Sequence, residues 1–110
     1  MKIGSKILLL ALAANLAFAF SAGKLVQDAR AQVGQTLFYD PSYSRLEYPM
    51  GDVDMIKGVC TDVVVRALRG QDIDLQRLIH EDMSANFSVY PKNWGAKKTD
   101  KNIDHRRVPN

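Results

Sequence analysis

Cysteine is nearly absent from this sequence. Cys60 is the one cysteine in 110 residues, and a lone thiol excludes an internal disulfide. It is left as a free thiol, a small buried residue or half of an intermolecular bond. A glycine-rich phosphate loop and a dinucleotide fingerprint are missing too, which removes the usual sequence marks of a nucleotide enzyme. There is no internal repeat and no low-complexity tract. No segment alternates apolar and polar residues long enough to make a strand with an identifiable partner. Excess charge is also scarce. The formal net charge is +3, but removing Lys2 and Lys6 from the 15 basic residues leaves 13 against 12 acidic ones. A near-neutral chain gives no electrostatic case for a nucleic-acid partner.

Those two lysines begin a recognisable leader. They precede an apolar run, Ile7 to Phe20, broken only by Asn15, with a small-x-small exit at Ala17-Phe18-Ala19. A basic start, an apolar middle and a small-residue exit predict a Sec-type signal peptide over residues 1–19 and a periplasmic mature chain. Cleavage after Ser21 or Ala22 is the nearby alternative. The run falls short of the ~20 residues of a spanning helix, so no stable membrane anchor is expected after cleavage, although an uncleaved anchor is the competing reading. No cysteine marks the exit for lipid attachment. Residues 20–110 then form a single small domain, with a marginal core and no cross-link to support it.

What is present centres on KGVCTDVVVRALRG, Lys57 to Gly70. Val59, Val63, Val64, Ala67 and Leu68 recur at helical spacing. Arg66 and Arg69 fall in the last turn, where cations suit the helix dipole, and Gly70 is a stop signal. The consecutive valines also suit a buried strand; the stop signals favour the helix. A helix that begins at a cysteine offers free N–H groups and a positive dipole end, conditions that favour a thiolate. Lys24 to Gly34 predicts a short amphipathic helix through Leu25, Val26, Ala29 and Val33. Phe38 to Met50 holds three tyrosines with Pro41 and Pro49, which predicts an ordered extended loop. Gly51 to Lys57 reads as a polar turn. Asp74 is a candidate N-cap for another helix with the stripe Leu75, Leu78, Ile79, Met83 and Phe87, ended by Pro91. Beyond Lys92 the chain is polar and rich in turn residues.

The ordered motifs GVCTDVVVRALR, IDLQRLIHEDM, YPKNWG and NIDHRRVPN resemble a family of exported bacterial proteins, domain of unknown function (DUF) family 1287, over about Lys24 to Asn110. That family is similar to papain-like cysteine hydrolases of the NlpC/P60 type, which cut peptide or amide bonds in cell-wall material. The resemblance implies an α+β, papain-like fold in which a nucleophilic cysteine begins a helix packed on an antiparallel sheet, and a histidine on a following strand activates it. Cys60 matches the nucleophile. The Gly-Asp-Ile-Val-type and Pro-His-Ile-Gly-type strands that follow NIDHRRVPN in similar proteins are not in this sequence. The resemblance therefore implies a C-terminally truncated form that keeps mainly the helical half and lacks the sheet and the presumed base.

Read from the residues, Cys60 is either a nucleophile or a small buried apolar residue. Asp62 would oppose a thiolate unless it turns away to cap the helix. His105 is the candidate base near the end of the chain, with Asp104 or another carboxylate to orient it and flanking arginines to keep the ring neutral; the competing reading is a structural or loop histidine. His80-Glu81 lacks the second histidine of a zinc helix, since position 84 is Ser84, and reads as helix surface. Asp52 and Asp54 lack the calcium-loop pattern and read as solvated turn residues. Lys97, Lys98, Lys101, Arg106 and Arg107 are interrupted by Asp100 and Asp104 and read as a solvated segment. Tyr39, Tyr43 and Tyr48 either line a groove over Cys60 or pack the loop down. No cofactor and no metal are called for. Three functions follow: a cysteine-dependent amidase or peptidase on cell-wall peptides, inactive in this form; a non-enzymatic periplasmic interaction module; or a complete thiol hydrolase using Cys60 and His105.

Overall fold

The structure, a computed structural model, describes residues 19–110. The predicted leader therefore lies almost wholly outside the described residues. Among those described, the elements run α1 (Ala22–Arg30), β1 (Phe38–Tyr39), β2 (Lys57–Gly58), α2 (Cys60–Arg69) and α3 (Leu75–Asn86), with short 3-10 turns at Phe87–Val89 and Asp104–Arg106. Helices with a small two-stranded sheet place the chain in the α+β class.

Helix starts follow capping chemistry. Ser21 accepts the N–H of Lys24 to open α1, and Asp74 accepts the N–H of Gln76 to open α3. Helix α1 ends at Arg30, before the predicted Gly34, which lies in the following turn at φ 81°. Val26 and Val33 are exposed, and Gln32 is the buried residue instead. Its amide donates to the carbonyl of Val63 at 2.9 Å, which fixes the end of α1 to α2. Gly70 does follow α2, but at φ −61° it is not a left-handed stop. A Cβ there would come within 2.0 Å of Asp28 Oδ2, so glycine serves the close approach of α1.

The Phe38–Met50 stretch is largely the extended loop expected of it, but its first two residues pair. Phe38 aligns with Lys57 and Tyr39 with Gly58 in a parallel register. So short a ladder gives no alternating pattern to read in the sequence. The pairing brings Gly58, and hence Cys60, beside the tyrosine loop.

The interior is the unexpected part. Among the described residues the buried apolar ones are Val65, Ala67 and Met83, accompanied by Gln32, Asp62, Arg66, Asp74, Gln76, Asp104, His105 and Arg106. On α2 the inward residues Asp62, Val65, Arg66 and Arg69 follow i, i+3, i+4, i+7 spacing. The helix thus turns a mixed face inward, with Asp62 and Arg66 buried beside Val65 and Ala67; of the predicted apolar stripe Ala67 is buried and Val64 is 49% exposed. Each buried charge is met. Arg66 forks onto Asp52 (2.7 and 3.1 Å) and donates to the carbonyls of Val53, Asp54 and Lys57. Asp52 is exposed in its turn, as read from the sequence, and is in addition the ion-pair partner of Arg66. Arg69 bridges Asp74 and the carbonyl of Gly51. Gln76, fully buried, donates to the carbonyls of Glu47 and Lys101 and accepts the N–H of Gly51.

The most deeply buried of these ion pairs joins Arg106 to Asp62. The guanidinium forks onto the carboxylate at 3.0 and 3.1 Å, and both side chains are 3% exposed. Removing one partner of such a pair strands the other charge in the interior, at a cost of about 3–5 kcal/mol. Asp62→Ala is accordingly expected to lower the unfolding free energy by about 3 kcal/mol or more in urea titration. The double variant Asp62→Ala/Arg106→Met should be more stable than Asp62→Ala alone, because no unpaired guanidinium remains.

Candidate functional site

Cys60 is the first residue of α2 and its side chain is exposed. Gly58 sets up this start. Its φ of 155° suits glycine, and a Cβ there would lie 2.8 Å from Asp62 Oδ2. Asp62 reaches back to accept the N–H of Val59 at 2.7 Å, half of a capping box. Its carboxylate is thus turned inward onto Val59 and Arg106, away from the thiol. The N–H of Asp62 bonds the carbonyl of Val59. Those of Cys60 and Thr61 have no partner among the described residues, as expected in the first turn of a helix. The Thr61 hydroxyl donates to the carbonyl of Arg106 at 2.8 Å, fastening the Asp104–Arg106 turn against this end of α2.

Two grooves meet at Cys60. One is framed by Tyr39, Pro41, Trp94 and Arg107. The other runs along Val64, Leu75 and Ile79 to His105. Cys60, Arg107 and Val108 line both. Of the three tyrosines, read as either lining a groove over the thiol or packing the loop, only Tyr39 lines a groove with it. The Tyr43 hydroxyl bonds Asp100 and Asn102, and Tyr48 packs edge-to-face on His80 with ring centroids 5.2 Å apart. His80 is thus half-buried against Tyr48, not a plain helix-surface residue.

His105 shares the second groove with Cys60 but is 4% exposed. No hydrogen bond links it to Asp104, whose carboxylate instead accepts the N–H of Asp100 at 2.6 Å. The buried Nδ1 of His105 has no partner. Burial is the main cause that pushes the imidazole pKa down to about 4; the nearby Asp62 works against this, and Arg69 and Arg106 reinforce it. The ring is neutral at pH 7. An imidazole that resists protonation is a poor partner for a thiolate–imidazolium pair. Among the described residues no group of three metal-ligating side chains is gathered in one place, Asp52 and Asp54 included.

Sequence reasoning singled out Cys60 and His105, and the structure places both on one groove. It missed Trp94 and Val108 as neighbours of the thiol and read Arg106 and Arg107 as solvated. Arg106 is buried on Asp62, whereas Arg107 lies over the Trp94 ring, 4.4 Å from its centroid. The lone tryptophan, in YPKNWG, was the signal available.

The depressed pKa of His105 has a definite sign. The unfolded ring binds a proton near pH 6.5 and the folded ring only near pH 4, so the stability linked to a neutral ring is complete above 6.5 and lost as pH falls toward 4. The loss is on the order of 3 kcal/mol. Burial raises the pKa of Asp104, and that group acts in the opposite sense, favouring the fold at low pH. The comparison that isolates His105 is therefore wild type against His105→Leu. Across pH 6.5 to 4 the variant should show a markedly flatter fall in urea-unfolding free energy.

No solved structure matches this chain. The sequence is 60% identical over 86 residues to "Uncharacterized protein YijF" of Escherichia coli (strain K12), an alignment that takes in 78% of this chain and 42% of that protein. The chain thus spans less than half the length of the curated relative it matches. The family model for the domain of unknown function DUF1287 matches residues 26–110. With the cysteine helix, the Trp94 segment and the Arg106 turn all inside that match, the chain belongs to the DUF1287 family.

Proposed function

We propose that this protein is exported to the periplasm and presents the nucleophile of a cysteine-dependent amidase or peptidase acting on cell-wall peptides, with a parent fold of the papain-like NlpC/P60 kind. The observation that carries the reading is the exposed Cys60 thiol at the first turn of α2, opening on two grooves, with the Asp62 carboxylate turned inward. A nucleophile of this class needs an approachable thiol, donors for the tetrahedral oxyanion and a base. The free N–H groups of Cys60 and Thr61 suit the second requirement. The third is not met here, because the His105 ring resists taking a proton. General-base catalysis is typically worth ~10²–10⁴ in rate, so hydrolysis by this chain alone is negligible.

Two measurements test this reading. The purified chain should leave cell-wall peptide fragments intact while its single cysteine reacts fully with iodoacetamide in the folded state. A thiol that alkylates only on unfolding would sink the nucleophile assignment. Cys60-dependent cleavage that disappears in His105→Asn would instead establish the Cys60–His105 hydrolase. Export predicts that the periplasmic protein begins just after Ala19, which intact mass will show.

A second reading rests on Leu78, 42% exposed on α3, and on Val64, half exposed on α2. Uncovered apolar helix faces suit an interaction module. Loss of a partner complex in Leu78→Asp, with Cys60→Ser behaving as wild type, would favour it over the hydrolase.

A further inference from the structure

Arg107 is the cation beside Cys60 whose charge is not consumed by the fold. Arg66, Arg69 and Arg106 each meet an aspartate. Arg107 makes no ion pair and no side-chain hydrogen bond among the described residues. Its guanidinium is instead stacked on the Trp94 ring, 4.4 Å from the centroid. Stacking positions a guanidinium while leaving its in-plane N–H donors free. Those donors form a planar fork that matches a carboxylate. The same arginine lines both grooves that meet at Cys60. A second polar group there also lacks a partner: the Nδ1 of the deeply buried His105, which lines the second groove with Arg107 and Cys60.

We propose that Arg107, held in place by Trp94, is a carboxylate-binding subsite next to Cys60, selecting peptides that carry a free carboxylate close to the bond presented to the thiol. This rests on Cys60 being the approachable nucleophile. It adds the substrate class: an anionic peptide, held by its carboxylate on the guanidinium and flanked by the apolar surfaces of Tyr39 and Val108. The carboxylate comes either from an acidic side chain or from a free C-terminus, and both offer the guanidinium the same two oxygens.

The experiment does not require hydrolysis. Cys60 is the only cysteine, so alkylation of the full chain reports this one position. Iodoacetate and iodoacetamide carry the same leaving group but differ in charge. A guanidinium lining the same grooves as the thiol should accelerate the anionic reagent, relative to the neutral one, about three- to tenfold over the ratio for glutathione at low ionic strength. Arg107→Gln should bring the ratio down to the glutathione value; any change in the thiolate fraction alters both rates alike and cancels in the ratio. Arg107→Lys should retain part of it, and Trp94→Ala should lower it by releasing the guanidinium. Should the Arg107 variants fail to fold, the wild-type chain still decides: the preference must collapse as salt is raised toward 1 M, where the screening length is about 3 Å.

Protection of Cys60 against iodoacetamide then separates the two sources. N-acetyl-alanine offers a terminal carboxylate, and N-acetyl-glutamate α-amide a side-chain one. Protection by one and not the other, lost in Arg107→Gln, identifies the occupant. A charge-insensitive alkylation ratio, with neither compound protecting, overturns the subsite while leaving the nucleophile assignment standing. No reaction with iodoacetamide in the folded state overturns both.

Discussion

The Arg106–Asp62 contact is the constraint on which the rest of the site depends. It joins the first turn of α2 to the Asp104–Arg106 turn, 44 residues further along the chain. The spare N–H groups of the same guanidinium reach the carbonyls of Asp40 and Ser42 at 3.4 and 3.3 Å, drawing in the tyrosine loop. Three segments that share no sequence periodicity are thereby held around one thiol. A buried ion pair is weak evidence for net stability, since desolvation offsets much of its attraction. What it contributes here is position. The Asp62 carboxylate that would repel a thiolate is occupied with its partner and with the Val59 N–H, so the helix entrance remains free of anionic charge.

The same logic runs through the interior. Arg66 gathers the Asp52–Lys57 segment by one carboxylate and three carbonyls, and Gln76 gathers Glu47, Gly51 and Lys101. Loops that make few hydrogen bonds to each other are tied to helix side chains instead, which satisfies backbone groups that would otherwise be buried without partners. Lys57 pairs with Asp40 across the short sheet, and Ser42 donates to that carboxylate through both its N–H and its hydroxyl. These contacts hold the Asp40 pKa at about 2, the Ser42 bonds contributing most. Rigid walls of this kind suit a groove that must present a thiol in one geometry.

Helix existence was legible in the sequence because it is encoded locally: Asp74 as an N-cap, the two arginines closing α2, Pro91 after α3. The buried side of α2 was not. Counting apolar positions selects Val59, Val63, Val64, Ala67 and Leu68, of which Ala67 is buried; the helix also turns Asp62, Arg66 and Arg69 inward because their partners wait at Arg106, Asp52 and Asp74. Those partners lie in loops, at separations that no periodicity reveals. A usable hint was there: three charged residues at helical spacing around Val65, on a chain with nearly balanced charge. Cys60 was legible as a helix-start thiol. The placement of His105 in the same groove was legible only as a possibility, since its burial comes from packing of the C-terminal turn. Trp94 and Arg107 sit in a polar tail whose composition reads as solvent-facing, and only the fold brings them to the thiol.

An interior built from guanidinium forks and amides also shapes the thermal behaviour of the molecule. Exposing apolar surface raises the heat capacity on unfolding, whereas exposing polar surface lowers it. With Val65, Ala67 and Met83 as the buried apolar residues among those described, beside eight buried polar ones, the heat-capacity increment on melting should be small for the length. Stability should then vary gently with temperature, and cold should weaken this fold less than it weakens a protein held together by hydrocarbon.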